Sequence, residues 1–426
     1  MKLEADVAIV GAGVSGLAAA RSLTRHGRSC VVLEAGDAIG GRVRTLRRPG
    51  WQIPIELGAE FVHGRPAPSL ALAGGAVHLV PVPEQRVRGG ANPQPMPDTW
   101  QRFAQALEPA LRSAGDESVR DYLAHSQLPA AEKELVRMIV EGYHAAALED
   151  ASVRAIAEDA AASGADFKQY RTSTGYDQVL SELEHGSDGT LCQIQLGAAV
   201  QRIDWSRDAV TAHAQRGESE LRVSARRCLV SVSIGVLQAG SITFDPLPPA
   251  FESALPQLGM GHALRVVLRF ERGPWLPALQ GVETTFVHAP GSAFETFWRE
   301  RRAEQEQVTA WAGGPPARLL SELSDSARVD AALESLAQAT QQSLAACRAA
   351  LVQAHVHDFN RDPLTLGAYS YVRPGGANAA QLLATPCADT LFFAGEALDL
   401  QYPGTVAGAL GSGEHAARRL LATWSS

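Results

Sequence analysis

Lysine is nearly missing from this chain. Of its 38 basic side chains only Lys2, Lys133 and Lys168 are lysines, and the rest are arginines. The charge is also one-sided, with a formal net of −8 and no Lys/Arg block. The electrostatic footprint of a phosphate-backbone binder is therefore absent, and nucleic acid is not an expected partner. Cysteine is scarce: the five at positions 30, 192, 228, 347 and 387 are odd in number, far apart and form no CxxC pair. That excludes a disulfide framework and leaves no metal site to expect. No run of about 18 apolar residues exists, so no membrane partner is expected. Met1-Lys2-Leu3-Glu4 leads straight into a strand-like segment without a secretory core, and a cytoplasmic location is the expectation. The apolar fraction of 46% is ordinary and the 39 glycines have no period of three, which excludes disorder and collagen. A chain of 426 residues has room for two to three domains around a large core.

Local order begins at once. Asp6-Val7-Ala8-Ile9-Val10 reads as a strand, Gly11 to Gly16 as a glycine turn, the small residues to about His26 as a helix, and Cys30-Val31-Val32-Leu33-Glu34 as a second strand. Residues 100–165 read as helical, with Leu135, Met138, Ile139 and Tyr143 at spacings of three and four. From about 190 to 300 short β-rich runs dominate, and residues 326–350 return to an Ala-rich helical pattern. A last helix is expected from about Gly404 to Thr423, with Val406, Leu410, Ala417 and Leu421 on its apolar stripe.

Gly11-Ala12-Gly13-Val14-Ser15-Gly16 follows a strand and opens a helix, and Glu34 closes the next strand 18 residues past Gly16. This is the context a dinucleotide fingerprint requires. Gly11 permits the tight turn, Gly13 lets a pyrophosphate approach the backbone, and Gly16 allows close helix–strand packing. Free N–H groups and the helix dipole favour the phosphates. A carboxylate at Glu34 can accept both hydroxyls of an adenosine ribose and would repel a 2′-phosphate, so NADP is disfavoured. The fingerprint alone does not separate FAD from NAD.

Further motifs choose between them. They are Gly40-Gly41-Arg42-Val43-Arg44-Thr45, Glu56-Leu57-Gly58-Ala59-Glu60-Phe61-Val62-His63-Gly64, Val232-Ser233-Ile234-Gly235-Val236-Leu237, and Ile242-Thr243-Phe244-Asp245-Pro246-Leu247-Pro248. Towards the C-terminus come Gly367-Ala368-Tyr369-Ser370-Tyr371-Val372, Leu391-Phe392-Phe393-Ala394-Gly395-Glu396 and Tyr402-Pro403-Gly404-Thr405-Val406-Ala407-Gly408-Ala409. Together, and in this order, they resemble the flavin-containing amine oxidase family, in its polyamine oxidase and histone lysine demethylase branch. The resemblance runs from residue 5 to about 420.

It implies an α/β fold in which a Rossmann-type FAD-binding domain (1–72, 174–250 and 385–426) is interleaved with an α+β substrate domain (73–173 and 251–384), a mixed sheet flanked by helices. It implies that Glu34 holds the adenosine ribose, Arg42 sits by the pyrophosphate with Gly41, Val200 lies at the adenine and Glu396 holds the ribityl chain. By the same resemblance Gly58, Ala59, Glu60 and Phe61 are expected to line the flavin. Ser15, with Gly11, Gly13 and Gly16, belongs to the phosphate turn. The helix that opens at Thr405 and Val406 can stabilise charge on the flavin pyrimidine edge. Ala368 stands where some relatives attach the flavin through cysteine, so FAD is expected to be non-covalent.

On the substrate side the resemblance implies Tyr369 and Thr405 as walls of an amine cage, and Glu60 and His63 as candidates for recognising a distal group. Phe61 occupies the position of an amino-acid-binding arginine, which makes a free α-amino acid a less expected substrate. The sharpest departure is Arg265, where the family has a lysine that holds a water at flavin N5. Arg↔Lys is not conservative there. Phe359 likewise replaces a frequent tryptophan. The expected function is hydride transfer from an amine α-carbon to flavin, imine hydrolysis, and reoxidation by dioxygen to hydrogen peroxide, in a monomer or homodimer. Two alternatives stay open: a flavin-dependent dehydrogenase or desaturase with weak oxygen reactivity, and, less favoured because 426 residues leave no room for a further partner-binding insertion, a regulatory flavoprotein.

Overall fold

Strand β1 (Lys2–Val10) is partly exposed at its start and fully buried from Val7 to Val10. Such an uninterrupted apolar run suits a strand with parallel neighbours and both faces covered. Strand β2 (Cys30–Leu33) lies parallel to it on one side, Val7 opposite Cys30 and Val10 opposite Leu33. The strand Ser219–Val230 lies parallel on the other side. Helix α1 (Val14–Arg25) connects β1 to β2 and buries Leu17, Ala18, Ala19, Ala20 and Leu23. Its alanines let it settle close to the helix Val406–Ala422, and the two helices cover one face of the sheet. The computed structural model describes residues 1–64, 70–72, 77–83, 85–163, 168–185, 190–270, 286–303 and 305–424.

The first sheet runs in the order Cys192–Gln195, β2, β1, Ser219–Val230, Ala209–Arg216, Ala198–Ser206, Thr243–Asp245. The strand Leu391–Phe393 pairs in parallel with the end of Ser219–Val230. Its parallel strands therefore come from three distant stretches of chain, and their C-terminal ends converge on the turn at Gly11.

A second, mixed sheet runs Leu351–His357, Ala263–Phe270, Gln305–Gly313, Thr296–Arg302, Phe286–His288, Arg86–Arg88 and Gln94–Pro95. Every residue of Ala263–Phe270 is buried. Helices Gly314–Ser321 and Asp325–Thr340 pack on it through Ala317, Leu320, Leu333 and Leu336. Four further helices, Thr99–Leu111, Val119–His125, Ala130–Gly142 and Val153–Ser163, share a core of Phe103, Leu107, Val136 and Ile139. They fill the stretch read as helical from sequence. The fold class is the expected one, α/β with a doubly covered dinucleotide sheet and a second mixed sheet flanked by helices. The expected domain boundary at 72/73 borders residues 73–76, which lie outside the described set. Among the described residues no helix is long and apolar enough to cross a membrane, and no cluster of His, Cys, Asp or Glu could hold a metal ion.

Candidate active site

One cavity of about 1120 Å³ runs from the β1–α1 turn, between the two sheets, to the four-helix region. That exceeds the roughly 300–1,000 Å³ typical of a site for one small ligand, and it suits a dinucleotide with a second molecule beside it.

At the first end, Gly11 turns the chain with φ +98°, a conformation that favours glycine. Gly13 is the N-cap of α1 and offers no capping side chain, and no acidic residue stands in the first helical turn. The orphan N–H groups of that turn thus face the cavity unshielded. Ser15, buried on the same wall, has a hydroxyl without a hydrogen-bond partner among the described residues. An unshielded helix N-terminus and an unpartnered buried hydroxyl fit an anionic pyrophosphate. Gly16 lies off the cavity wall. A Cβ there would stand 2.0 Å from the Gly11 carbonyl oxygen, so its work is to let α1 cross β1 closely rather than to touch a ligand. Glu34 is fixed by N–H donation from Ala12 (2.7 Å) and Gly36 (2.8 Å), which leaves further lone pairs for ligand hydroxyls.

Gly41, Arg42, Gly58, Ala59, Phe61, Val200, Glu396, Thr405 and Val406 all line the same cavity. Arg42 Nη1 donates to Glu396 Oε1 (2.7 Å) and to the Ala368 carbonyl (2.9 Å), and Glu396 Oε2 accepts from the Ser370 hydroxyl (2.7 Å). Three segments far apart in sequence are thereby tied together at the middle of the cavity. Thr405 is the N-cap of the last helix: its hydroxyl accepts from Gly408 N–H (3.0 Å) and donates to the Tyr402 carbonyl (2.7 Å). Both roles of that hydroxyl are therefore local. No cysteine lines the cavity among the described residues.

Past these segments the wall is aromatic. Phe61 packs against Trp298 (5.4 Å between centroids) and Phe286 (5.8 Å), Trp298 against Trp311 (5.9 Å), and Tyr143 against His63 (5.3 Å) and Trp100 (4.8 Å). Tyr369 joins them, its hydroxyl donating to the Tyr143 carbonyl (2.6 Å), and burial drives its pKa upward so that it keeps its proton. Burial, reinforced by the Arg86 cation, pulls His63 down to about 4 and His288 to about 3, so both imidazoles are neutral at pH 7. Arg86 packs over Phe286 (4.3 Å) and Trp100 (5.2 Å), with Nη1 3.3 Å from His288 Nε2.

Arg265 stands at the junction of the two regions, 5% exposed. Its Nη1 donates to the Glu56 carbonyl (2.6 Å) and lies 3.2 Å from Glu60 Oε2, while its buried Nε has no partner among the described residues. Burial lowers its pKa, and Glu60 and Glu56 oppose that shift. Glu60 also pairs with Arg171 (2.7 Å) and accepts from Trp298 Nε1 (3.0 and 2.9 Å). Phe359 is on the cavity wall as well.

Every site residue expected from sequence except Gly16 therefore lines one cavity. Sequence reasoning missed Arg171, Trp298, Trp311, Tyr143, Arg86 and His288. Strand pairing brings in most of them: Arg171 is opposite Phe61, Phe286 is opposite both Arg86 and Trp298, and Trp311 is opposite Arg265, while Tyr143 enters from the C-cap of the helix Ala130–Gly142. No spacing rule joins such positions.

A fold of this kind, with a dinucleotide cradle opening into a ring-lined chamber, defines a nucleotide-cofactor-dependent oxidoreductase scaffold. Residues 14–421 match the family model described as flavin containing amine oxidoreductase. The chain belongs to that family, whose cofactor is a flavin. It is 29% identical to human lysine-specific histone demethylase 2 over 98% of its own length and 53% of the relative's, so it spans about half of that protein. It is 26% identical to polyamine oxidase 2 of Arabidopsis thaliana, covering 97% of this chain and 87% of the relative. Among solved structures, putrescine oxidase bound to putrescine superposes with a TM-score of 0.83 at 21% identity, and cyclohexylamine oxidase of Brevibacterium oxydans with 0.82 at 22%. Each alignment covers 99% of this chain and 100% of the other.

Proposed function

We propose that this protein oxidises an amine with non-covalently held FAD. The observation that carries the reading is the single cavity in which an unshielded α1 N-terminus, with the unpartnered Ser15 hydroxyl, opens into a buried aromatic chamber flanked by Tyr369 and Arg265. In this assignment α1 and Ser15 hold the pyrophosphate beside Arg42, Glu34 the adenosine ribose, Val200 the adenine and Glu396 the ribityl chain. Gly58 to Phe61 and the helix start at Thr405 and Val406 flank the flavin ring. When bound, the flavin supplies a hydride acceptor for the amine α-carbon and passes the electrons to dioxygen, giving hydrogen peroxide.

The chain's own residues prepare the substrate. A buried wall of rings with neutral imidazoles disfavours an ammonium, so the amine enters the reacting position without its extra proton. The Tyr369 hydroxyl is committed to the Tyr143 carbonyl, so the side chain orients and desolvates the amine rather than acting as an acid. Thr405 braces the opposite wall as a helix cap. The free Nε–H of Arg265 is the donor we assign to the water that hydrolyses the imine.

Anaerobic mixing of the flavin-loaded protein with a panel of amines tests the reading: at least one should bleach the visible flavin band, and bleaching by none refutes it. Acid precipitation should leave FAD in the supernatant. A second reading, a dehydrogenase of slow oxygen reactivity, is favoured by one observation: Arg265 is clamped by Glu60 and the Glu56 carbonyl at the position where the resemblance places a water-holding lysine. The oxygen-consumption rate of the reduced protein separates the two readings, and faster reoxidation in Arg265→Lys supports the second.

A further inference from the structure

We propose that the inner chamber is a specificity filter: it takes amines with an uncharged body and turns away short diamines, whose second ammonium would have to lie inside it. The inference rests on the amine-oxidising reading above and narrows its substrate class.

A distal ammonium needs an uncommitted counter-charge within reach, because a buried charge that is not paired is strongly penalised. Past the dinucleotide segments, the carboxylates on the wall among the described residues are Glu60 in the interior, and Glu158 and Asp159 on the helix Val153–Ser163. Glu158 is exposed and Asp159 half-buried, so both belong to the solvated approach. Glu60 is buried, and its two oxygens already take the Arg265 guanidinium, the Arg171 guanidinium and the Trp298 indole N–H. A carboxylate neutralised by two guanidiniums has no net attraction left for a third cation.

The rest of the inner wall supplies no counter-charge among the described residues: its buried Gln169 Oε1 has no hydrogen-bond partner there, but an amide oxygen is neutral and cannot offset a cation. Arg86 and Arg265 both present cationic side chains to the chamber, and His63 and His288 are held neutral beside Arg86. Much of the remaining surface is apolar, ring faces from Phe61, Phe286, Trp298, Trp311 and Tyr143 with Met138 and Ile139 beside them, and it matches an aliphatic or aromatic body. Ring faces can attract an ammonium, but here they are occupied by the chain's own cations: Arg171 lies 4.8 Å over Phe61, Arg86 4.3 Å over Phe286, and Arg265 5.2 Å over Trp298.

The test is an isosteric pair, n-hexylamine and 1,5-diaminopentane, with benzylamine as the aromatic member, each mixed anaerobically with the flavin-loaded protein. The expected result is a flavin-reduction efficiency at least tenfold higher for hexylamine than for the diamine. Equal or better reduction by the diamine overturns the filter and leaves the amine-oxidising reading intact, whereas no reduction by any amine overturns both. Arg171→Met releases one Glu60 oxygen and should raise the diamine-to-monoamine ratio at least fivefold. An unchanged ratio in flavin-loaded variant protein overturns the role given to Glu60. The wild-type comparison needs no variant and decides the matter if Arg171→Met does not fold.

Discussion

Replacing Glu60 by glutamine removes the one negative charge that sits between two guanidiniums. In the native protein Glu60 and Arg265 side chains are each 6% exposed and 3.2 Å apart, and Arg171 approaches from the other side at 2.7 Å. Arg171 keeps a distant second partner in Glu300, 3.9 Å away, whereas Arg265 keeps no ion pair among the described residues, only the Glu56 carbonyl and the longer-range attraction of the Glu56 carboxyl. Breaking a buried pair by removing one partner costs about 3–5 kcal/mol, because a buried charge is left uncompensated. With an unfolding entropy of about 2.1 cal/mol/K per residue, a 426-residue chain shifts its midpoint by about one kelvin per kcal/mol. Thermal unfolding of the flavin-loaded Glu60→Gln protein should therefore begin about 3–6 °C earlier. The double variant Glu60→Gln/Arg265→Met removes both buried charges, and most of the loss should return, since replacing a whole buried pair by apolar groups is often neutral. A loss under about 1 °C in the single variant, or a double variant no better than the single, refutes the reasoning.

Two further outcomes follow from the same geometry. Burial pushes the Glu56 carboxyl up to about 7, against donation from Thr45 and from Tyr176 N–H. A carboxyl raised in the folded state favours folding below its unfolded value and loses that contribution as pH climbs through about 7. Stability should thus fall by about 2.5 kcal/mol from pH 5 to pH 8 through this group. Denaturant midpoints of the wild type should show that fall, and Glu56→Gln should flatten it; an equal slope in both proteins refutes the assignment. Gly16→Ala places a Cβ 2.0 Å from the Gly11 carbonyl oxygen and 2.7 Å from Ser231 Oγ, and backbone cannot yield as a side chain can. The variant should retain helix by circular dichroism yet purify with less than a tenth of the wild-type flavin per chain; full flavin content refutes it.

The contrast between Gly16 and Glu60 marks how far the sequence could be read. Gly11 to Gly16, with Glu34 after β2, is legible because a tight turn, a bare helix N-terminus and a ribose-binding carboxylate each demand a residue type at a fixed local spacing. Arg265 was legible as a departure, because the resemblance marks that position for a lysine. The elements also followed from local periodicity: the buried run Val7–Val10 and the alanines of α1 specify a covered parallel strand and a close-packed helix without reference to the rest of the chain. What sequence left open was the company each side chain keeps. Glu60 reads as a free acid suited to a second ammonium until strand pairing sets Arg171 opposite Phe61, and the second sheet brings Arg265 and Trp298 onto the same carboxylate. Thr405 reads as a cage wall until its hydroxyl is seen to cap the last helix. The chain alone determines turns, helices and the cofactor cradle, because those depend on neighbours a few residues away. Only the tertiary structure decides the charge state and availability of the chamber's groups, because burial and ion pairing depend on residues that lie more than a hundred positions apart and meet only when the two sheets close on each other.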